Sequence, residues 1–232
     1  MEKIAVPIAI ILAGGLIAGA LYLSNVKAGA AAKVGTQQAA AQAATGKIRP
    51  VSPNEHILGN PNAQVLIVEY SDTECPYCKQ FQSTLHQVIT DYGASGQVAW
   101  VYRYMPIAQL HPRSEKEAEA VECSSQLGGE TTFWKYLDEV YATTPSNNGL
   151  DPAELPKIAA DVGLNVNDFN NCLNSGKNAQ IVEADRADGV QAGGNGTPFS
   201  VLVDTKSGTQ TPIEGAYPYA QLKPMIDALL GK

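Results

Sequence analysis

The sequence is short of charge, of histidine and of cysteine. Charged residues make up 17% of its 232 positions, and the balance is acidic, −7 at neutral pH. No basic cluster interrupts it, which excludes the electrostatic grip that nucleic-acid binding needs. There are three histidines and four cysteines. His56, His86 and His111 have no ligand spacing, and only Cys75 and Cys78 lie close together. A structural zinc site wants a second close Cys/His pair, so no metal is expected. There is no internal repeat, which excludes a repeat architecture.

What is present falls into three stretches. Residues 4–23, IAVPIAIILAGGLIAGALYL, carry no charge, and about 20 apolar residues span a bilayer as a helix. A secretory signal has an apolar region of only about 7–15 residues, although KAGAAAK downstream offers small-residue cleavage sites. Length favours an uncleaved anchor over residues 1–26. Gly15 and Gly19 form a GxxxG pair, a weak dimer signal in so Gly/Ala-rich a segment. The lysines favour the opposite orientation to export, yet an N-terminal apolar segment ordinarily sends the rest of the chain outward. Residues 27–49 form a low-complexity Ala/Gln/Gly linker that can build no core, with a coil reach on the order of 25 Å. The folded domain is expected over 50–232.

Within that domain, QVLIVEYS is a β-branched run with strand character, and VAWVYRY is a second. Between them CPYCKQFQSTLHQVITDY places Phe81, Leu85, Val88 and Ile89 on one helical face. Four helical segments follow: SEKEAEAVECSSQLG, TTFWKYLDEVYA, DPAELPKIAADVG and NVNDFNNCLNSG. Asp151 and Pro152 supply a cap and a first-turn proline. PFSVLVD and TPIEG read as a hairpin, and YAQLKPMIDALLGK as a closing helix. The order predicts an α/β thioredoxin fold with a helical insertion at about 112–190.

The Cys75–Cys78 pair sits where a strand gives way to a helix. Unpaired backbone N–H groups and the helix dipole there favour a thiolate at Cys75. Pro76 occupies the first helical position, where its missing N–H costs nothing. A thiolate at Cys75 can attack a disulfide, and Cys78, one turn on, can resolve the mixed disulfide. A brace between residues three apart would stabilise little. Glu69 shares a face with Val65 and Ile67, and alternation leaves it either buried or on a solvated edge. Asp72 and Glu74 are expected to be exposed, and to oppose a thiolate if anything. Cys123 and Cys172 lie on apolar faces of separate helices.

GNPNAQVLIVEYSDTECPYCKQF, VYRYMPIAQLHP, AVECSSQLG and GTPFSVLVD, in that order, resemble the DsbA family of thiol-disulfide oxidoreductases, in its membrane-tethered or secreted bacterial branch. CPYC alone is shared with glutaredoxins, which have no room for the helical block. The resemblance implies that Cys75 is the exposed nucleophile and Cys78 the buried resolving cysteine. It implies that Glu69 lies beneath them and relays a proton, and that Thr197–Pro198 is a cis pair beside them. Thr197, Pro198, Pro76 and Tyr77 then contact substrate. Cys123 and Cys172 are implied to form a structural bridge, and His111 and Pro112 match a family motif in which His111 is structural. The implied function is disulfide donation to exported proteins, with a reductase, an isomerase or a plain peptide-binding module as alternatives. No cofactor is expected, because the cysteines carry the electrons. The implied partners are thiol-bearing clients and a membrane redox protein of the DsbB or vitamin-K-epoxide-reductase type. The implied location is a single-pass membrane protein with an extracytoplasmic catalytic domain.

Overall fold

The computed structural model describes residues 46–232. The expected anchor or signal and most of the linker lie outside the described residues. Among those described, no helix is long and apolar enough to cross a membrane. Ile48 is buried and Arg49 is ion-paired to Asp185, so the folded unit already includes two residues assigned to the linker.

Five strands form one sheet: β1 (His56–Gly59), β2 (Val65–Ser71), β3 (Val98–Tyr104), β4 (Phe199–Asp204) and β5 (Gln210–Glu214), in the order β1-β3-β2-β4-β5. β2 and β3 run parallel, with Val65 opposite Val98 and Ser71 opposite Tyr104. The other pairings are antiparallel. Every residue of β2 and β3 is buried, as strands covered on both faces must be. Pro212 lies in β5, at the sheet edge, where a missing N–H does least harm.

Helix α1 (Pro76–Tyr92) joins β2 to β3 and buries Phe81, Leu85 and Val88. Between β3 and β4 come α2 (Ser114–Gly128), α3 (Glu130–Thr143), α4 (Leu155–Asp161), α5 (Val166–Ser175) and α6 (Ala179–Gln191). Helix α7 (Tyr219–Leu230) closes the chain. The sheet divides the core in two. Val65, Ile67 and Trp100 pack with α1, α7 and the helical block, while Leu66, Val68 and Tyr70 pack with Ile48, Ala192 and Phe199.

Two elements escaped the sequence analysis. β1 is only HILG, a four-residue edge strand too short to show alternation. It is pinned by His56, which stacks on Phe133 and bonds Glu122 and Glu130. Helix α6 carries few apolar residues, and its buried side presents Asp185 and Gly189. Gly189 is required there: a Cβ would fall 2.7 Å from the Tyr70 ring. The helix is held instead by charge. Arg103, fully buried, donates to Asp188 at 2.8 Å and to both oxygens of Glu55 at 2.7 and 3.1 Å. Tyr70 also donates its hydroxyl to Asp188.

Candidate active site

Strand β2 runs straight into the site. Its last turn of chain delivers Glu69 and Ser71, then Asp72, Thr73 and Glu74, and Cys75 caps α1. Cys75 has extended backbone angles (φ −77°, ψ 121°), and its carbonyl accepts the first helical bond from Lys79 at 3.1 Å. Both cysteines are free thiols. Cys78 has no exposure and Cys75 retains only 5%. The nucleophile expected to be exposed is therefore mostly covered, because Thr197–Pro198 lies against it. That peptide bond is cis, and Cys75 Sγ donates to the Thr197 carbonyl at 3.3 Å. The two residues are 122 positions apart in the chain. They meet because β4 pairs with β2, Phe199 opposite Tyr70.

The two sulfurs are made unlike by their surroundings. The Cys78 S–H donates toward Cys75 and pulls its pKa from the usual 9.0 down to about 6. Burial opposes this, while the backbone N–H groups of Cys78 and Tyr77 assist it. Burial pushes Cys78 well above the ordinary thiol range, and Cys75 and Glu69 add to the push. Cys75 is thus equipped as the attacking thiolate and Cys78 as the protonated partner.

Glu69 is fully buried beneath the pair, which excludes the solvated-edge alternative. Its carboxyl accepts from Ser71 Oγ at 2.8 Å and from Trp100 Nε1 at 3.0 Å. Burial raises its pKa to about 8, against the two donors. A carboxyl with this value holds a proton at neutral pH and can exchange it.

Asp72 and Glu74 correct the expectation of exposure: they are 1% and 0% exposed. Asp72 accepts from the backbone N–H groups of Ile107 and Glu74, both at 2.8 Å, and from His111 Nδ1 at 3.0 Å. Glu74 accepts from the N–H of Leu150 at 3.0 Å, the N–H of Gly149 at 3.2 Å and Thr144 Oγ1 at 3.3 Å. It thereby anchors a loop in which Ser146, Asn147 and Asn148 are all left-handed, with φ of 66, 55 and 65°. Glu117, bonded to Thr73 Oγ1 at 2.7 Å, is raised to about 8, chiefly by burial. The sequence signal for these groups was faint: a polar DTE between a strand and CPYC looks like an ordinary exposed loop.

Pro76 and Tyr77 are exposed on the rim, Tyr77 by 63%. Beside Pro198 lies a shallow groove of about 380 Å³, lined by Asn195, Gly196, Thr197, Pro198, Phe199, Glu214 and Gly215. Cys123 and Cys172 lie apart from this site. They form a disulfide between α2 and α5, with Cα atoms 5.9 Å apart. Among the described residues no group of three or more His, Cys, Asp or Glu side chains could hold a metal ion.

A five-helix insertion on a five-stranded sheet, with a dithiol at the start of α1 against a cis-proline, defines a thioredoxin-fold dithiol protein. The chain belongs to the thioredoxin family, whose model, described as Thioredoxin, matches residues 51–228. Its fold is that of the DsbA-like thiol-disulfide oxidoreductases. DsbA2 of Pseudomonas aeruginosa superposes with a TM-score of 0.67 and 25% identity, over 78% of this chain and 97% of that one. BdbD of Bacillus subtilis gives 0.67 and 21%, over 77% and 94%. Among curated proteins, the Na(+)/H(+) antiporter NhaA 3 of Salinispora tropica is 34% identical over 140 residues, 58% of this chain. The chain spans only about 20% of that antiporter's length.

Proposed function

We propose that this protein is an extracytoplasmic disulfide oxidase that passes its Cys75–Cys78 disulfide to exported clients. In the forward step a client thiolate attacks Cys75 Sγ. A new S–S bond forms, the Cys75–Cys78 bond breaks, and the electron pair leaves on Cys78 Sγ, which takes up a proton. A second client thiol then attacks the mixed disulfide and releases Cys75 as a thiolate. The client loses two electrons and the protein gains them. A membrane-bound redox partner of DsbB or vitamin-K-epoxide-reductase type re-forms the disulfide.

The observation that carries the reading is the geometry at Cys75, which caps α1 against the cis Thr197–Pro198 bond; this setting favours the Cys75 thiolate. A stabilised thiolate favours the reduced protein, and so makes its disulfide a better oxidant. The groove beside Pro198 suits an extended client segment, with its main chain against Gly196–Pro198, the loop that leads into β4. Glu69 supplies or takes the proton of Cys78. The Cys123–Cys172 disulfide fits an oxidising compartment. Residues 1–26 serve as the membrane anchor and the Ala/Gln/Gly stretch after them as its linker, with the catalytic domain outside. Transport belongs to the antiporters that carry similar segments and is no part of this reading.

The test is the reduction potential of the Cys75–Cys78 couple, equilibrated against glutathione. A value toward about −120 mV supports the oxidase, and one near about −270 mV makes the protein a reductase. Cys75→Ser should abolish exchange with a reduced model protein. Cys78→Ser should instead accumulate mixed disulfides that are seen on non-reducing gels. Normal oxidation by Cys75→Ser would remove Cys75 as the nucleophile.

A further inference from the structure

Asp72 is gripped on every polar atom. Its carboxylate accepts from Ile107 N, Glu74 N and His111 Nδ1. Its carbonyl accepts from Cys75 N at 3.1 Å and Tyr141 Oη at 3.4 Å. What this grip aims is its own amide: the Asp72 N–H donates to Cys78 Sγ at 3.5 Å. His111 is nearly buried, and it is fixed in turn by its own backbone, whose N–H bonds Ile107 O at 2.8 Å. The residue lies on the segment between β3 and α2, where the helical block begins.

We propose that Asp72 and His111 form a positioning pair for disulfide exchange. Its task is to aim the Asp72 backbone N–H at the Cys78 sulfur as negative charge develops there. The inference rests on the oxidoreductase reading of the Cys75–Cys78 pair. When a thiolate attacks Cys75 Sγ, the leaving group is Cys78, and its charge appears in a site closed to water. A preorganised donor at that atom lowers the barrier, as backbone donors do for an oxyanion. The Asp72 N–H touches the reacting sulfur. The Asp72 carboxylate and His111 act through it.

The experiment follows the oxidised full-length protein reacting with dithiothreitol, quenched by alkylation and counted by mass. The first dithiothreitol thiolate attacks Cys75, and the second closes the ring, so the reagent is oxidised as the protein is reduced. His111→Leu removes the donor to Asp72 and should slow the first step about fivefold to tenfold, the scale of one hydrogen bond. His111→Gln, with an amide N–H in reach of the carboxylate, should restore most of the rate. Asp72→Ala should be slow as well, and the double variant Asp72→Ala/His111→Leu no slower than Asp72→Ala alone, because the two act as a unit. The Cys75 thiolate titration should keep its midpoint in all variants, which a collapsed loop would not allow. Unchanged rates, additive losses, or a Cys75 midpoint that moves with the rate would overturn the proposal. If His111→Leu does not fold, the isosteric Asp72→Asn takes its place, and a wild-type rate in that variant counts equally against the pair. The wild-type rate and potential read the oxidoreductase assignment itself, so the two failures are distinct.

Discussion

At Cys75, two opposing terms act on one sulfur. Burial would keep it a thiol, but Cys78 and the helix-start N–H groups win and bring it to about 6. Glu69 shows the opposite balance, since burial outweighs Ser71 and Trp100 and holds it at about 8. The consequences for stability have opposite signs. Cys75 is lowered in the folded state, so its contribution to the reduced protein is complete above the unfolded value of about 9 and lost as pH falls through about 6. Glu69 is raised, so its contribution is present below the unfolded value and lost as pH rises through about 8. Between pH 6 and 8 the two partly cancel in the wild type. Comparison with a single variant separates them. The stability gap between reduced wild type and Cys75→Ser should widen from pH 5 to pH 9 in denaturant titrations, and thiolate absorbance should titrate near pH 6 in the wild type alone. A gap that is flat with pH would mean Cys75 is not depressed.

Among elements, α6 is the one that charge places. Its apolar residues are sparse, and Ile181 and Val190 are exposed, so hydrophobic burial alone gives it little hold on the sheet. Arg103 from β3 reaches across to Asp188 and Glu55, while Asp185 accepts the Tyr104 N–H at 3.0 Å and pairs with Arg49. Removing one partner of such a buried set strands the others without a counter-charge. Arg103→Leu should therefore cost about 3–5 kcal/mol in unfolding free energy. The loss should appear as a lower denaturant midpoint, with the Cys75 titration unmoved in whatever fraction stays folded. A cost below about 1 kcal/mol would show that solvent screens this network more than its burial implies.

For the whole molecule, the sheet and the helical block are separate stabilising problems. The sheet closes around β2 and β3, whereas the block is stapled by Cys123–Cys172 between α2 and α5. A bond closing a loop of 49 residues adds on the order of 4 kcal/mol in the chain-entropy picture. Replacing both cysteines with Ala should lower the melting temperature by several degrees. The exchange rate of Cys75–Cys78 with dithiothreitol should stay close to wild type, because no residue of the staple touches the site. An equal fall in both would tie the staple to the chemistry.

The thioredoxin order, the place of CPYC at a strand-to-helix junction, and the burial stripe of α1 were all legible in the sequence. Each follows from local pattern, from periods of 2 and 3.6 and from turn residues, and needs no knowledge of what lies across the fold. Glu69 was half legible: alternation put it on the face of Val65 and Ile67, but could not say whether that face was covered. Asp72 and Glu74 were misread and Arg103 was passed over for one physical reason. A polar side chain looks solvated in sequence unless its partners are visible, and theirs come from Ile107, Leu150, Asp188 and other distant positions. Chain pattern by itself determined that a thiol pair would stand at the start of a helix. Only the pairing of β4 with β2 decided that Thr197 and Pro198 would close over Cys75, because that contact depends on bringing together residues 122 positions apart.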